Sequence, residues 1–595
     1  MTDPISSDRA ELCRHALLVS VPTGRVLGGM QERLELSRWV AVVACGVVAC
    51  SSTSNPSAAH DAAVGVDGGK HASVEAGTHD SGRQSTDSGS DSAPDAAATC
   101  ANVTTLGGPV QGVGSGATCA YEGIPYAAPP TGNLRWRSPQ PAATWTTPRP
   151  SALAPGCPQG SSSFGDASAT EDCLYLNVWK PAAKSDAGPG LPVMVFVHGG
   201  SFEYGSGSYP LYDGTHLATT TQNLVVTINY RLGALGFLSN PALRAEDASY
   251  PSAGNYGISD QIAAFQWVKS NIAAFGGDPS NVTIFGESAG GTSMLVHLAS
   301  PKSQGLFQHV MIESAYAPNS EGAGPQAAAD EVGASFATAL SCGGGDAGTT
   351  LLSCLRGQSV SDILAAADSL TSTGLPFNWF PIVDGFVLPD YPVKLITAGT
   401  FNKVPTLLGT NLNEATVLLV SSGAPTDPAS YLAAASLSFP GNGAAVVAQY
   451  PISAYGGSYT NAAAQALTDG AFICPARQIA RAIVAAGQPV YRYDFVHAIQ
   501  FLIPNLGAFH GSELPFVFGN PLNIGTPLKT DELPLSLAMM EYWGAMAAVG
   551  NPNGGGRLAW PPYQPATEPD IVLDLALSTE TELEQQACNF WQGLP

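Results

Sequence analysis

The chain has few charged side chains, and the two signs are unevenly represented. Only 12% of its 595 residues are Asp, Glu, Lys or Arg, and 24 basic residues oppose 47 acidic ones, for a formal net charge of -23. Such a chain repels nucleic acid phosphates, so we expect no nucleic acid partner. The sequence also has no internal repeat, no zinc-spaced Cys/His cluster and no phosphate-binding Gly-Lys loop. We therefore expect neither a repeat architecture nor a metal or cofactor.

The N-terminal region has no apolar run long enough to span a bilayer as a helix. Arg33 and Arg38 precede the eleven apolar or small residues 39–49, a length typical of a processed leader. The string Val-Val-Ala-Cys that ends at Cys50 resembles the lipobox of a bacterial lipoprotein signal peptide. We expect a lipid anchor on Cys50 and a protein exported to the cell envelope. A plain secretory signal is the alternative.

Composition divides the chain into three parts. Residues 1–50 are the expected leader, with Met30 as an alternative start, and residues 51–99 are Ser, Asp, Gly and Ala with almost no large apolar side chains. Such a segment cannot offset its chain entropy, so we expect a disordered tether. Residues 100–595 carry the motifs. With 45% hydrophobic residues overall, the chain can bury a large core, and we expect one catalytic domain there.

A serine between two glycines marks the candidate nucleophile. The string Gly286-Glu287-Ser288-Ala289-Gly290 follows the apolar run 282–285 and precedes small residues that open a helix. This strand, turn and helix form the pattern of a nucleophile elbow, in which the glycines allow a sharp turn and the serine hydroxyl is exposed. A Gly-x-Ser-x-Gly string is weak evidence by itself, but this is its only match in the chain.

A serine nucleophile requires a histidine base held by a carboxylate. His198 follows the buried-strand run 193–197, where a hydrolase places its oxyanion loop. His510 lies late in the chain, as the hydrolase order of serine, acid and histidine requires. Four histidines lie in the leader or tether. The patterns around the other four favour ordinary loop, helix or strand surface: His216, His297, His309 and His497.

Five further strings carry a shared pattern: residues 122–127 (EGIPYA), 134–136 (LRW), 171–178 (EDCLYLNV), 229–233 (NYRLG) and 275–279 (FGGDP). Together they resemble the type-B carboxylesterases, a family that includes cholinesterases and certain fungal lipases. The resemblance extends over roughly residues 101–595. It implies an α/β-hydrolase fold: a central, mostly parallel sheet flanked by helices, with large insertions. It also implies hydrolysis of carboxylic esters.

The resemblance supplies the remaining site residues. The family acid is the glutamate of a Gly-x-Asn-x-x-Glu turn, which residues 409–414 match, so Glu414 is the expected acid. We expect an oxyanion hole of the N–H groups of Gly200, Ser201 and Ala289. Ser201 replaces a third glycine that is usual in the family, and its Cβ narrows the pocket. For Glu287 two interpretations stay open, namely tuning the field around His510 and satisfying local hydrogen bonds.

The resemblance also implies structural pairs. Arg135 is the expected buried partner of Glu171, and Arg231 that of Asp260. Outside the leader the cysteines number eight, an even count that suits a disulfide framework. Family positions imply three pairings and leave the last two cysteines to each other: Cys157 with Cys173, Cys342 with Cys354, Cys474 with Cys588, and Cys100 with Cys119.

The expected function is a serine carboxylic-ester hydrolase that acts on a small-molecule ester through an acyl-enzyme on Ser288. A lipase acting on longer-chain acylglycerols is the alternative, and a non-catalytic binding domain is a remote one. The loop between Cys157 and Cys173 lacks the tryptophan with which cholinesterases bind a quaternary ammonium, which disfavours choline esters. Five aromatic residues are candidates for either a substrate pocket or core packing: Phe377, Trp379, Phe380, Phe501 and Phe509. The sequence leaves the oligomeric state open. Activity should rise with pH near neutrality as His510 loses its proton.

Overall fold

The computed structural model describes residues 100–115, 117–162, 165–182, 190–318, 321–343, 348–370, 378–499, 505–522, 527–582 and 585–594. The expected leader, tether and Cys50 anchor lie outside these residues, as do the aromatic candidates Phe377 and Phe501. The strands are β1 Val103–Thr104, β2 Pro109–Val110, β3 Val113–Ser115, β4 Thr118–Pro125, β5 Tyr175–Pro181, β6 Leu191–Val197, β7 Leu224–Ile228, β8 Gly277–Glu287, β9 His309–Glu313, β10 Gly324–Pro325, β11 Ile382–Val383, β12 Thr406–Asn411, β13 Val490–Phe495, β14 Pro569–Leu573 and β15 Ser578–Thr581.

A twisted central sheet organises the described residues. Its eleven strands there follow the order β15-β14-β13-β12-β9-β8-β6-β7-β5-β4-β3. The pairs from β7 through β6, β8, β9, β12 and β13 to β14 are parallel. The pairs at the two edges are antiparallel. This is the mostly parallel sheet that the resemblance implies.

Helices cover both faces of the sheet. On β6, Val193, Val195 and Val197 join the apolar layer of one face, whereas Met194 and Phe196 join that of the other. Burial on both sides explains why these strands are continuous apolar runs without polar alternation. The α-helices are α1 Thr215–Thr221, α2 Gly233–Phe237, α3 Pro241–Glu246, α4 Tyr256–Asn271, α5 Ala289–Ala299, α6 Gln326–Ala339, α7 Thr349–Gly357, α8 Val360–Asp368, α9 Pro392–Thr397, α10 Glu414–Ser422, α11 Pro428–Ser438, α12 Gly443–Gln449, α13 Tyr459–Thr468, α14 Cys474–Ala485, α15 Leu514–Phe518, α16 Leu533–Val549 and α17 Gln585–Gln592.

The expected cross-links and buried ion pairs are present. Disulfides join Cys100 to Cys119, Cys157 to Cys173, Cys342 to Cys354, and Cys474 to Cys588. Arg135 binds both carboxylate oxygens of Glu171, at 2.6 and 2.7 Å. Arg231 binds both of Asp260, at 2.7 Å each. Within the described ranges, no helix has the length and apolar character needed to cross a membrane.

The parallel strands bring the candidate site together. Strands β6, β8, β9 and β12 are neighbours, so their carboxyl ends meet at one edge of the sheet. That edge carries the segment after Val197, the turn after Glu287 and the turn after Asn411. Ligands of open α/β sheets bind at the carboxyl ends of the strands.

Candidate active site

Ser288 lies between β8 and α5 in a strained conformation. Its φ is 58° and its ψ is -119°, a backbone geometry that residues with a side chain rarely adopt. The flanking Gly286 and Gly290 do not themselves have positive φ. A Cβ on Gly286 would lie 2.6 Å from the carbonyl oxygen of Val197, and one on Gly290 would lie 2.0 Å from it. The glycines therefore let β6 approach the turn closely, and the serine carries the strain.

His510 and Glu414 are in direct contact although 96 residues separate them. His510 Nδ1 lies 2.6 Å from Glu414 Oε2. Glu414 is fully buried, and its other oxygen accepts a hydrogen bond of 2.8 Å from the N–H of Asn411. Glu414 is thus the first residue of α10, one short turn after β12, and the bond from Asn411 fixes its carboxylate. A carboxylate in this position orients the imidazole and stabilises its protonated form.

The second nitrogen of His510 points towards the elbow. Its Nε2 lies 3.3 Å from Oε1 of Glu287, the residue before Ser288. Among the described residues, no hydrogen bond joins His510 to the Ser288 hydroxyl. Such bonds often tighten only when substrate is bound. Ser288 is held through its backbone, because its N–H donates to the carbonyl of Glu313 at 3.0 Å.

The loop after β6 presents free backbone donors. Gly200 has a φ of 102°, and a Cβ there would lie 2.3 Å from the carbonyl oxygen of Tyr204. Ser201 also has positive φ, at 56°. Within the described part of the chain, the N–H groups of Gly200 and Ser201 have no acceptor. The N–H of Ala289 is in the first turn of α5, where helix N–H groups lack intrahelical partners. These are the three donors expected from the sequence.

Comparison with known families identifies the chain. The model of the family described as "Carboxylesterase family" matches residues 99–591. The chain belongs to the carboxylesterase family. It is therefore an enzyme that hydrolyses carboxylic esters.

Curated relatives and solved structures agree with this assignment. The carboxylesterase is 35% identical to human cocaine esterase over 81% of its own length and 88% of that protein's. It is 36% identical to dog carboxylesterase 5A, over 79% and 84% of the two chains. A solved structure named thermophylic PNB esterase superposes with a TM-score of 0.73 at 33% identity, over 82% of this chain and 99% of that one. The fold is thus that of the α/β-hydrolase esterases, and these relatives do not favour the lipase alternative.

Buried carboxyl groups surround the carboxylesterase's candidate base. Burial alone would lower the pKa of His510, but Glu287 and Glu414 outweigh it and raise that pKa to about 9. This is higher than the near-neutral value expected from sequence, because the expectation considered only an ordinary triad. Burial raises the pKa of Glu287 well above its usual range, and protonated His510 opposes that rise.

Two further buried carboxyl groups, those of Glu313 and Glu513, were not predicted from the sequence. Burial raises the pKa of Glu313 to about 8, with Glu513 adding to the shift, and its Oε1 accepts a 2.9 Å hydrogen bond from Trp543. Burial raises the pKa of Glu513 to about 7, and this side chain accepts a hydrogen bond from Asn411. Sequence gives one usable signal for Glu513, its place three residues after His510.

Aromatic side chains connect the oxyanion loop to the candidate base. The ring of Phe202 lies 5.3 Å from Phe380, which lies 6.4 Å from Tyr316. Tyr316 in turn lies 5.5 Å from Phe472, whose ring is 5.1 Å from His510. Phe380, one of the candidates from sequence, belongs to this series.

The other described aromatic candidates and two histidines have structural environments. Trp379 packs on Phe336 at 5.5 Å, and Phe509 is buried. His297 is fully buried between Ser303 and Gln261, and His497 is nearly buried, with Nδ1 2.8 Å from Asp574. The expectation of surface positions for these two histidines is wrong, because helical and strand periodicity does not show which polar side chains find partners in the core. His198 is also buried and stacks on Tyr230 at 4.5 Å.

Proposed function

We propose that this carboxylesterase cleaves its substrate through an acyl-enzyme on Ser288, with His510 as the base and Glu414 as its orienting acid. The 2.6 Å contact between His510 and Glu414 carries the proposal, because it joins the two residues that the resemblance pairs across 96 positions. The strained backbone at Ser288 and the free N–H groups beside it support the same assignment.

The mechanism follows from these roles. His510 Nε2 takes the Ser288 proton as Oγ bonds to the ester carbonyl carbon. The N–H groups of Gly200, Ser201 and Ala289 stabilise the oxyanion, and each such donor lowers the barrier by about 2.7 to 4 kcal/mol. The imidazolium then protonates the departing alcohol as its bond to the carbonyl carbon breaks. A water molecule, deprotonated by the same nitrogen, then bonds to the acyl carbon. The bond from this carbon to Ser288 Oγ breaks, Oγ regains its proton from His510, and the carboxylic acid leaves.

Replacement of Ser288 tests this mechanism. Ser288→Ala should lose about 10⁶ in turnover and all labelling by a fluorophosphonate, because triad members act as a unit. Ser280→Ala is a matched control, since Ser280 lies near the start of the same strand, is exposed and bonds its neighbour Asp278. Turnover retained by Ser288→Ala, with Ser280→Ala unchanged, would refute the assignment.

We further propose that the preferred ester carries an aromatic group. Tyr316, the partly exposed ring of this series, offers an aromatic face for a flat apolar group, and one relative is named for cocaine. With 4-nitrophenyl esters, kcat/KM should be higher for the benzoate than for the cyclohexanecarboxylate of similar size. It should also fall along the series from acetate to palmitate. A maximum at palmitate would instead indicate a lipase.

We also propose that the protein is exported and carries a lipid at Cys50. The four disulfides suit an exported protein. The lipobox-like string supports lipid attachment at Cys50, with residues 51–99 between the anchor and the catalytic domain of residues 100–595. Expressed in a host that processes lipoproteins, the protein should fractionate with membranes, and Cys50→Ser should shift it to the soluble fraction. A wild-type protein that is wholly soluble with another N-terminus would indicate simple secretion.

A further inference from the structure

A π-helix interrupts the helical segment opposite the candidate base. It comprises Asp469–Ile473, directly between α13 and α14, and all five residues are buried. Short π-helices are rare and frequently occur at functional sites. Two residues further on, Pro475 has no N–H to donate to the carbonyl of Ala471. That carbonyl instead accepts a 2.9 Å hydrogen bond from the N–H of Ala317.

The bond to Ala317 ties the π-helix to the support of the nucleophile. Ala317 lies four residues after Glu313, whose carbonyl holds the Ser288 N–H. Between them, the backbone N–H and carbonyl of Tyr316 both bond the hydroxyl of Thr292 in α5, the helix that Ser288 caps. The segment from Glu313 to Ala317 is thus bonded to Ser288 and to Thr292 in the elbow. The π-helix bonds the end of this segment at Ala317.

The next residue of the π-helix contacts the base itself. Phe472 is buried, and its ring centroid lies 5.1 Å from that of His510 at an angle of 58°. The carboxyl groups of Glu287, Glu414 and Glu513 also act on this imidazole. Phe472 is therefore an apolar neighbour of an imidazole that also has three carboxyl groups near it, and it limits where the imidazole ring can lie.

The residue before the π-helix supports the acid. Thr468 ends α13 and is buried, and its hydroxyl oxygen accepts a 3.0 Å hydrogen bond from the N–H of Ala415. Ala415 is in the first turn of α10, next to Glu414, where the N–H has no intrahelical acceptor. The hydroxyl of Thr468 thus fixes the start of the helix that carries the acid.

The C-terminal helix holds the π-helix from the other side. Asp469 accepts a 2.7 Å hydrogen bond from the hydroxyl of Tyr450, which itself accepts one of 2.7 Å from Trp591 Nε1 in α17. A Cβ on Gly470 would lie 2.6 Å from the Trp591 ring. The disulfide from Cys474 to Cys588 anchors the same helix.

We propose that this π-helix sets the relative positions of the three triad side chains, with Phe472 and Thr468 as positioning residues. The inference rests on the proposed function. One segment supports the nucleophile through Ala317, the base through Phe472 and the acid through Ala415. A small displacement of this segment would misalign the three groups together, and misalignment lowers turnover more than substrate binding.

The first test removes only the hydroxyl of Thr468. Thr468→Val leaves the Ala415 N–H without its acceptor, so kcat should fall about tenfold with little change in KM. Thr468→Ser restores the hydroxyl and should recover most of kcat. Equal kcat values for the valine variant and the wild type, or equal losses in the valine and serine variants, would overturn the role of this residue.

The second test compares two buried phenylalanines that each pack on a buried histidine. Phe472→Leu should lower kcat and shift the acid limb of kcat/KM to lower pH, because the imidazolium loses a favourable aromatic neighbour. Phe265→Leu is the control, since Phe265 lies 4.8 Å from His297, outside the proposed triad. Phe265→Leu should lower the unfolding temperature to a similar extent but leave kcat and the acid limb of kcat/KM unchanged. Identical profiles for the two variants would overturn the inference.

These experiments separate the inference from the proposed function. An active Ser288→Ala variant would remove the triad assignment and the inference with it. An inactive Ser288→Ala variant, together with wild-type kinetics in Phe472→Leu and Thr468→Val, would overturn only the role of the π-helix.

Discussion

The carboxylate of Glu287 lies 3.3 Å from Nε2 of His510, so its removal should change the pH dependence of catalysis. In Glu287→Gln the carboxylate 3.3 Å from Nε2 becomes a neutral amide of the same shape. A neutral base is required for attack, so activity rises as pH increases through the pKa of His510. A carboxylate raises that pKa, and its loss should move the rise in activity to lower pH.

The structure sets the size of this shift. Two unit charges 3.3 Å apart interact by about 5 kcal/mol at an effective dielectric constant of about 20, which is about 3.7 pKa units. The full value is not expected, because burial disfavours the charged form of Glu287 and raises its pKa well above the usual range. Glu287 and Glu414 together raise the pKa of His510 from 6.5 to about 9 against the effect of burial. We therefore expect the acid limb of Glu287→Gln to move down by about 1 to 2 units.

The assay is kcat/KM between about pH 5 and 10, which reports the pKa values of the free enzyme. Product should be quantified by chromatography so that the readout does not depend on pH. Glu313→Gln is the matched control, because Glu313 is equally buried but bonds Trp543 instead of facing His510. Its acid limb should stay close to that of the wild type. An unmoved limb in Glu287→Gln, or equal shifts in both variants, would refute the reasoning.

Three further predictions concern stability and the oxyanion loop. Asp260→Asn should lower the free energy of unfolding by about 3 to 5 kcal/mol in urea titration, since it leaves the Arg231 guanidinium buried without its carboxylate; a loss under about 1 kcal/mol would contradict this. Replacing Cys474 and Cys588 together by Ala should cost about 4 to 5 kcal/mol in the same titration, because the disulfide closes a loop of 114 residues. An unchanged midpoint would show that α17 stays docked without it. Ser201→Gly keeps the backbone donor, relieves the positive φ and removes a Cβ, so kcat/KM should rise for bulky acyl esters more than for acetate. An equal change for both ester classes would argue against a steric role.

Local sequence patterns predicted the nucleophile and the elements around it. The strand, turn and helix around Ser288 were readable because a buried parallel strand is a short apolar run and the small residues after it open a helix. The family strings implied Glu414, and the late position of His510 followed from the chain order of hydrolase triads. The structure brings these two side chains into contact.

The tertiary structure decided what no local pattern carries. Only the tertiary structure brings the buried carboxyl group of Glu513 close enough to raise the pKa of the base, and only the sheet register pairs Glu313 with Glu287. The π-helix escaped detection because its wider winding follows from Pro475, the bond to Ala317 and the packing of Trp591, each on a different part of the chain. Charge interactions and burial depend on distances in space. These distances are fixed only when the chain has folded, so the order of residues does not show them.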